Sequence, residues 1–335
     1  MIDQLVVLTA IGLLGLAIFL YVLMDGYSLG IGILFPFIEN PEHKDLMINS
    51  VTPLWDGNQT WLVFGAAMLY ACFPKAYSSL LTMLYSPILL MLIALVFRGI
   101  TFEFKHKEKK FPKIWDWTFF SSTFFAAFAQ GLILGAFITG HQVFSLDGQG
   151  ARLVWLTPFS VITAISVVCG YALLGTGWLI YKTEGELQQK MRVLSKHFLV
   201  AVTLAMIVVS IYTPLSHPDI AVRWFSWPNI ALLSPLPTMT AVAIVYLWHL
   251  LSGDDENRVF FVIMFIFLCG FIGLAVGLWP YIIPRTMTFF EAAAAPRTIR
   301  FVLQFAMVSF PLLLAYTFHA YYVFRGKVKL EDGYD

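Results

Sequence analysis

The sequence predicts an all-α, polytopic integral membrane protein with nine transmembrane helices, and three observations carry that reading. Of 335 residues, 59% are hydrophobic and only 12% charged, with a mean hydropathy of +0.78. A soluble domain has about 45–50% apolar and about 25% charged residues, and half the usual charge cannot cover a water-exposed surface of this size. Apolar runs close to the ~20 residues that a helix needs to cross ~30 Å of hydrocarbon recur nine times along the chain. Aromatic residues make up 16%, ten of them Trp, which suits a chain meeting two membrane–water interfaces. A soluble enzyme, a disordered chain and a collagen-like chain are all excluded.

The spans fall at about 5–24 with a continuation to 38, then 54–74, 78–98, 117–139, 157–181, 198–214, 229–251, 259–280 and 301–324. The runs are too long and continuous for barrel strands, so each is read as a helix of one membrane domain, 1–335. Pro87 and Pro311 lie inside spans and are candidate kinks, since neighbouring helices can satisfy the freed backbone groups. Met-Ile-Asp-Gln at the start has no basic n-region, so the first run reads as a retained anchor.

Net charge is +1, giving no field to draw the chain to nucleic acid. Cys72, Cys169 and Cys269 are too widely spaced for a zinc or redox motif. Counted from the N-terminal tail, odd connections hold six Lys and Arg residues and even ones fifteen. The positive-inside rule therefore expects the N-terminus outside and the C-terminus in the cytoplasm. The cluster Lys105, Lys107, Lys109, Lys110 and Lys113 is read as an orientation signal facing anionic lipid. Arg285, Arg297 and Arg300 run against the rule: they either pin an ordered outer loop or face an anionic partner.

Eighteen of the 20 Asp and Glu residues fall in connections or at their edges; Asp25 and Asp56 do not. In the second span the clean apolar stretch, Leu62 to Phe73, is too short to cross at 1.5 Å per residue. The helix must extend back through Trp55-Asp56-Gly57-Asn58-Gln59-Thr60, which pulls Asp56 into the inner half of the membrane. Asp56, Gln59 and Thr60 then form one polar stripe at i, i+3 and i+4. Asp25 lies toward the same side on the first span, followed by Gly26 and Gly30 at a spacing that admits a close helix neighbour. A short inner loop would let the two carboxylates share one vestibule. Such residues are costly in a membrane, about 2.5–3.5 kcal/mol on insertion scales, and usually line a cavity or relay. The plainer reading is an Asp that caps a helix or bonds backbone, and it weighs more for Asp25 than for Asp56. Arg98 and Glu103, where the third span exits, read as a structural ion pair or interfacial anchor, with a proton-entry antenna as the alternative.

A membrane electron carrier shows axial His or Met ligands within its bundle. His43, His106, His141 and His217 lie in connections, His197 opens a span, and only His249 and His319 lie near inner span ends where they could pair. Satisfied interfacial histidines are the plainer reading. No phosphate loop, Ser/His/Asp arrangement or carboxylate–His metal cluster is visible, so no metal and no cofactor ligated by this chain is expected.

Asp25-Gly-Tyr-Ser-Leu-Gly-Ile-Gly and Trp55-Asp-Gly-Asn-Gln-Thr-Trp resemble subunit II of the cytochrome bd-type quinol oxidases, a family that includes a cyanide-insensitive branch. Phe97-Arg-Gly-Ile-Thr-Phe-Glu-Phe, Trp115-Asp-Trp, Gly175-Thr-Gly-Trp-Leu-Ile-Tyr-Lys-Thr-Glu-Gly, Trp279-Pro-Tyr-Ile-Ile-Pro, Ala292-Ala-Ala-Ala-Pro and Tyr322-Val-Phe-Arg-Gly-Lys match in order over nearly the whole length. Gly177 stands where the pattern has Ala. The resemblance implies two four-helix bundles plus one extra helix, in the inner (cytoplasmic) membrane of a bacterium. It implies a heterodimer with a haem-bearing subunit I, which holds haems b and d, or b only, and oxidises quinol. Oxygen is reduced to water with cytoplasmic protons; small accessory subunits and a structural quinone occur in some members. By the same resemblance, Asp25 and Asp56 match acidic residues on the proton route, with Trp55, Asn58 and Gln59 shaping it; Thr60 on the polar stripe, and Arg98 and Glu103 at the span exit, are read from the residues alone as supporting positions. Two rival functions are a proton-coupled secondary transporter, disfavoured because the Asp-Gly pattern has no second copy, and a free-standing cytochrome using His249 and His319.

Overall fold

The computed structural model describes residues 2–105, 111–140 and 155–330. Lys107, Lys109, Lys110, Arg152, His106 and His141 lie outside the described residues. The fold is a bundle of long helices: α1 (Ile2–Leu34), α2 (Pro41–Asn49), α3 (Trp55–Cys72), α4 (Pro74–Met83), α5 (Tyr85–Phe104), α6 (Pro112–Thr139), α7 (Pro158–Lys182), α8 (Gly185–Ser216), α9 (Pro218–Phe225), α10 (Asn229–Leu233), α11 (Pro235–Ser252), α12 (Asn257–Leu278), α13 (Phe289–Ala292) and α14 (Pro296–Val323). A small antiparallel hairpin, β1 (Tyr281–Ile283) with β2 (Met287–Thr288), links α12 to α13.

Among the described residues, eight helical segments are long and apolar enough to cross a membrane. The segment outside that set is α3, expected as the second span: its first six residues, Trp55 to Thr60, dilute the apolar run that follows. It nevertheless runs from end to end of the bundle. Its start follows the connection holding Lys44, which bonds Asp116, and at its finish the Cys72 carbonyl accepts from the Ala294 N–H.

Several boundaries differ from expectation, among them the start of α8 at Gly185 rather than near 198. The third span divides into α4 and α5 at Leu84 (φ −106°, ψ 17°). Pro87 has no N–H to give, and its ring crowds the carbonyl of Met83, so the helix breaks just ahead of it. Pro311 is accommodated inside α14 without ending it. The link between α1 and α3 is longer than the short loop expected, holding a 3-10 turn (Phe35–Phe37) and α2.

Helices α1, α5, α6 and α7 form one packed group, α8, α11 and α12 a second joined through α7, and α3 and α14 lie against α1. The expected arrangement was two bundles of four with one helix over. Lipid tails are as apolar as Leu, so association within a membrane depends on close packing rather than on water exclusion. At the α1–α7 crossing this is visible in Gly30, where an added Cβ would lie 1.8 Å from the Tyr171 carbonyl oxygen, and Gly175, where it would lie 2.7 Å from the Gly30 carbonyl carbon. The two backbones touch, as the Gly26/Gly30 spacing suggested.

Connections of the two parities meet at opposite ends. At one end Arg300 pairs with Asp3, Lys75 donates to the Glu291 carbonyl, and Arg285 reaches Asp219 and the Thr139 carbonyl, each at 3.3 Å. Arg285 and Arg300 thus pin the connections at this end. Arg223 caps the end of α12 by donating to the carbonyls of Val276, Gly277 and Trp279. At the other end Asp116 binds Lys44 (2.9 Å) and Lys105 (2.8 Å). There the C-terminal tail also docks: Lys182 donates to the Phe324 carbonyl (2.6 Å), the Val328 N–H to the Lys182 carbonyl (2.8 Å), and Lys327 pairs with Glu256 (2.8 Å).

Replacing Gly30 by Ala forces α1 and α7 apart. An overpacked contact of this kind costs about 1–3 kcal/mol, so the thermal midpoint of the detergent-solubilised protein is expected to fall. Lys327 first, then Gln188, holds the Glu256 carboxyl below the usual range. Its contribution to the clasp is complete above the ordinary Glu value of about 4.3 and is lost as pH falls through the lower folded value. Acidification through that window is expected to open the tail to protease after Phe324, and Lys327→Gln to do so at neutral pH.

Candidate functional site

Asp25 lies in the middle of α1, not at a helix end, so it caps nothing. Its carboxylate is fully buried and receives two hydrogen bonds from Arg98 of α5, Nη1 to Oδ1 at 2.8 Å and Nη2 to Oδ2 at 3.1 Å. Arg98 is equally buried, and its Nε has no partner. Two charges removed from water this completely are tolerable only as a well-formed pair. Arg98, read in the sequence beside Glu103, is thus paired with Asp25. Glu103 lies on the exposed surface of α5 beyond it.

A second polar set surrounds the pair. Gln130 of α6 donates to the Tyr21 hydroxyl (2.8 Å) and accepts from Tyr171 of α7 (2.6 Å). Tyr21 stands one turn before Asp25. These residues were missed in the sequence, although Gln130 is the one side-chain amide in the 117–139 run and so carried a signal.

Asp56 is the second residue of α3 and is exposed. A carboxylate there is favoured by the helix dipole, and the N-cap, Leu54, supplies no side-chain bond. Its neighbours divide by face. Gln59 and Thr60 are half-buried, and the Gln59 Nε2 is enclosed without a partner. Asn58 turns inward and is buried: its Nδ2 donates to the Met24 carbonyl (3.0 Å) and the Tyr27 hydroxyl (3.1 Å), and its Oδ1 accepts from Tyr321 (3.1 Å). Tyr27 and Tyr321 are hydrogen-bonded at 2.8 Å, and Trp178 stacks on Tyr27 at 4.3 Å. Asn58 thus fastens the Asp56 turn to the residue just before Asp25. Trp55 stacks on Phe102 of α5 at 5.1 Å. The carboxylates are anchored across one helix contact, but one is sealed and the other open, so a single shared vestibule is not what the fold builds.

His249 and His319 are exposed, on α11 and α14 respectively. Among the described residues, no group of three or more His, Cys, Asp and Glu is placed to hold a metal.

The chain is similar, at 24% identity over 96% of its length and 94% of the relative's, to cytochrome bd-I ubiquinol oxidase subunit 2 of Escherichia coli (strain K12). It is 27% identical to cytochrome bd ubiquinol oxidase subunit 2 of Bacillus subtilis over 55% of this chain and 56% of that one. A chain in the structure of bd oxidase from Geobacillus thermodenitrificans superposes with a TM-score of 0.78 at 15% identity, covering 95% of this chain and 98% of that one, which shows a shared fold. The family model for cytochrome bd terminal oxidase subunit II matches residues 6–324, nearly the whole chain. The chain belongs to the cytochrome bd terminal oxidase subunit II family.

Proposed function

We propose that this chain is the subunit of a quinol oxidase that ligates no haem itself, braces the haem-bearing subunit I, and supplies part of a cytoplasmic proton-uptake route. The complexes of this family are quinol:oxygen oxidoreductases with a subunit I partner; the haems, b and d or b only, then reside in that partner. On this reading the chain crosses a bacterial inner membrane nine times, N-terminus outside and C-terminus in the cytoplasm, with α3 as the ninth crossing. Eighteen residues at 1.5 Å each give α3 a length of about 27 Å, close to the hydrocarbon thickness of ~30 Å. The secondary-transporter reading is not favoured, and the exposed positions of His249 and His319 do not suit axial ligands buried within a bundle.

The observation that carries the proton route is the contrast between Asp25 and Asp56. Asp25 and Arg98 hold α1 and α5 in register behind the surface. Asp56 stands on that surface, in a stretch drawn into the membrane, with Gln59 and Thr60 following on its face. An exposed intramembrane carboxylate has no water to face except where a cavity or a partner subunit provides it. Asp56 is the exchanging acid of the route, Asn58 couples its turn to α1, and Asp25 with Arg98 forms the inner boundary. Trp55, Gln59 and Thr60 shape the entrance, and Glu103 marks its cytoplasmic approach.

Asp56→Asn is expected to leave complex assembly and the haem spectrum intact while quinol oxidation falls about tenfold or more, since a positioned proton-transfer group contributes on the order of 10²–10⁴. Unchanged turnover rules the route out; loss of assembly returns Asp56 to a structural role. Removing one member of the buried pair leaves an uncompensated charge worth about 3–5 kcal/mol. Asp25→Ala and Arg98→Ala are therefore expected to abolish recovery of the assembled oxidase, and the double replacement Asp25→Leu/Arg98→Met to restore much of it, read by co-purification of subunit I.

A further inference from the structure

We propose that the groove between α11 and α12 is a binding site for one zwitterionic aminophospholipid, with an acyl chain in the groove and a phosphoethanolamine headgroup on Arg258 and the acidic residues beside it. Neither the proton route nor any residue of it is involved.

The groove is open to the outside of the bundle along its length and offers about 500 Å³. On α11 its wall runs through Met239, Val242 and Tyr246, and on α12 through Phe261 and Phe265. These positions follow the i, i+3, i+4 and i+7 spacing of single helix faces, and Val242 and Phe261 are 63% and 59% exposed. Both helices belong to membrane-length apolar segments, and that of α12 has the highest hydropathy of the eight. From Tyr246 to Met239 the groove rises about 10 Å at 1.5 Å per residue, which is the depth of one leaflet's chain region rather than of the whole bilayer.

Its charged group and its phenol lie at one end, the end at which the C-terminal tail docks, while Thr238 at the far end spends its hydroxyl on the Ser234 carbonyl. Arg258 opens α12 there, with Nη1 3.4 Å from the Tyr246 hydroxyl and Nε 3.3 Å from Oδ2 of Asp255, whose Oδ1 accepts from the Arg258 N–H at 3.0 Å. Asp254 is exposed next to them. A guanidinium and a phenol at the mouth of an apolar groove suit a phosphate at headgroup depth. The carboxylates of Asp254 and Asp255 beside it repel a headgroup of net negative charge and suit a cation that donates hydrogen bonds. A phosphate followed by a primary ammonium meets both demands. Phosphatidylglycerol lacks the cation, and the trimethylammonium of phosphatidylcholine has no N–H to donate.

The test uses the purified two-subunit oxidase, delipidated in detergent and titrated with phosphatidylethanolamine, phosphatidylcholine or phosphatidylglycerol of identical chains, with bound lipid read by native mass spectrometry. The wild type is expected to retain phosphatidylethanolamine most tightly. Arg258→Gln is expected to weaken that retention roughly tenfold, about 1.4 kcal/mol, and to erase the preference among headgroups. Val242→Trp, a filling change at an exposed position that leaves the fold intact, is expected to weaken all three lipids alike. Equal retention in the wild type and both variants overturns the proposal, as does a preference for phosphatidylglycerol. Photo-crosslinking from position 242 that captures subunit I or a quinone rather than lipid also overturns it.

Discussion

The salt bridge between Asp25 and Arg98 is the constraint on which the rest of the site depends. It ties two helices together through charges that no water reaches. In that setting neither partner is tolerable alone, and the two-point geometry of a guanidinium on a carboxylate fixes rotation as well as distance. Once α1 and α5 are set, the face of α1 carrying Tyr21 is presented to Gln130 and Tyr171, and the face carrying Tyr27 to Asn58, Tyr321 and Trp178. Five helices are thus oriented by polar contacts radiating from about two turns of α1.

Around that turn the helices approach as closely as their backbones allow. Gly30 and Gly175 meet where α1 crosses α7, and Gly131 stands against the backbone of Ala164 where α6 crosses α7. Apolar side chains cannot drive this association in lipid, because lipid satisfies them equally well. Small residues therefore supply contact area, and the enclosed hydrogen bonds supply direction. The exposed apolar side chains on α14, Phe301, Phe305, Met307, Val308 and Leu312 among them, are what a lipid or partner face requires of the same chain.

The two ends of the bundle use charge differently. At the end holding Lys44, Lys105, Asp116 and Lys327, cations are numerous and paired with carboxylates of other connections. At the opposite end, Arg223 and Arg285 work mainly through carbonyl groups, closing the last turns of α12 and α6. The excess of Lys and Arg in even connections is a matter of number; Arg223 and Arg285 are architectural by position. Arg285 and Arg300, two of the three arginines that run against the charge count, are thereby engaged in pinning connections.

The sequence by itself determined the class, the helices and their order, because a 20-residue apolar run has only one way to satisfy its backbone in hydrocarbon. It also singled out Asp25 and Asp56, since charge inside such runs is too costly to be incidental, it set Arg98 at the exit of a span, and it required α3 to begin at Trp55 on length alone. Only the tertiary structure decided who meets whom. Arg98 stands 73 positions from Asp25, and no periodicity within either helix announces the pairing. Gln130, Tyr171 and Tyr321 gained their roles in the same way, by being carried to α1 from distant segments. The break at Leu84 and the early start of α8 at Gly185 were likewise set by local backbone sterics and by packing, which hydropathy does not record. Hydropathy measures what each residue prefers as solvent, whereas a partner across a helix interface is fixed by the geometry of the whole bundle.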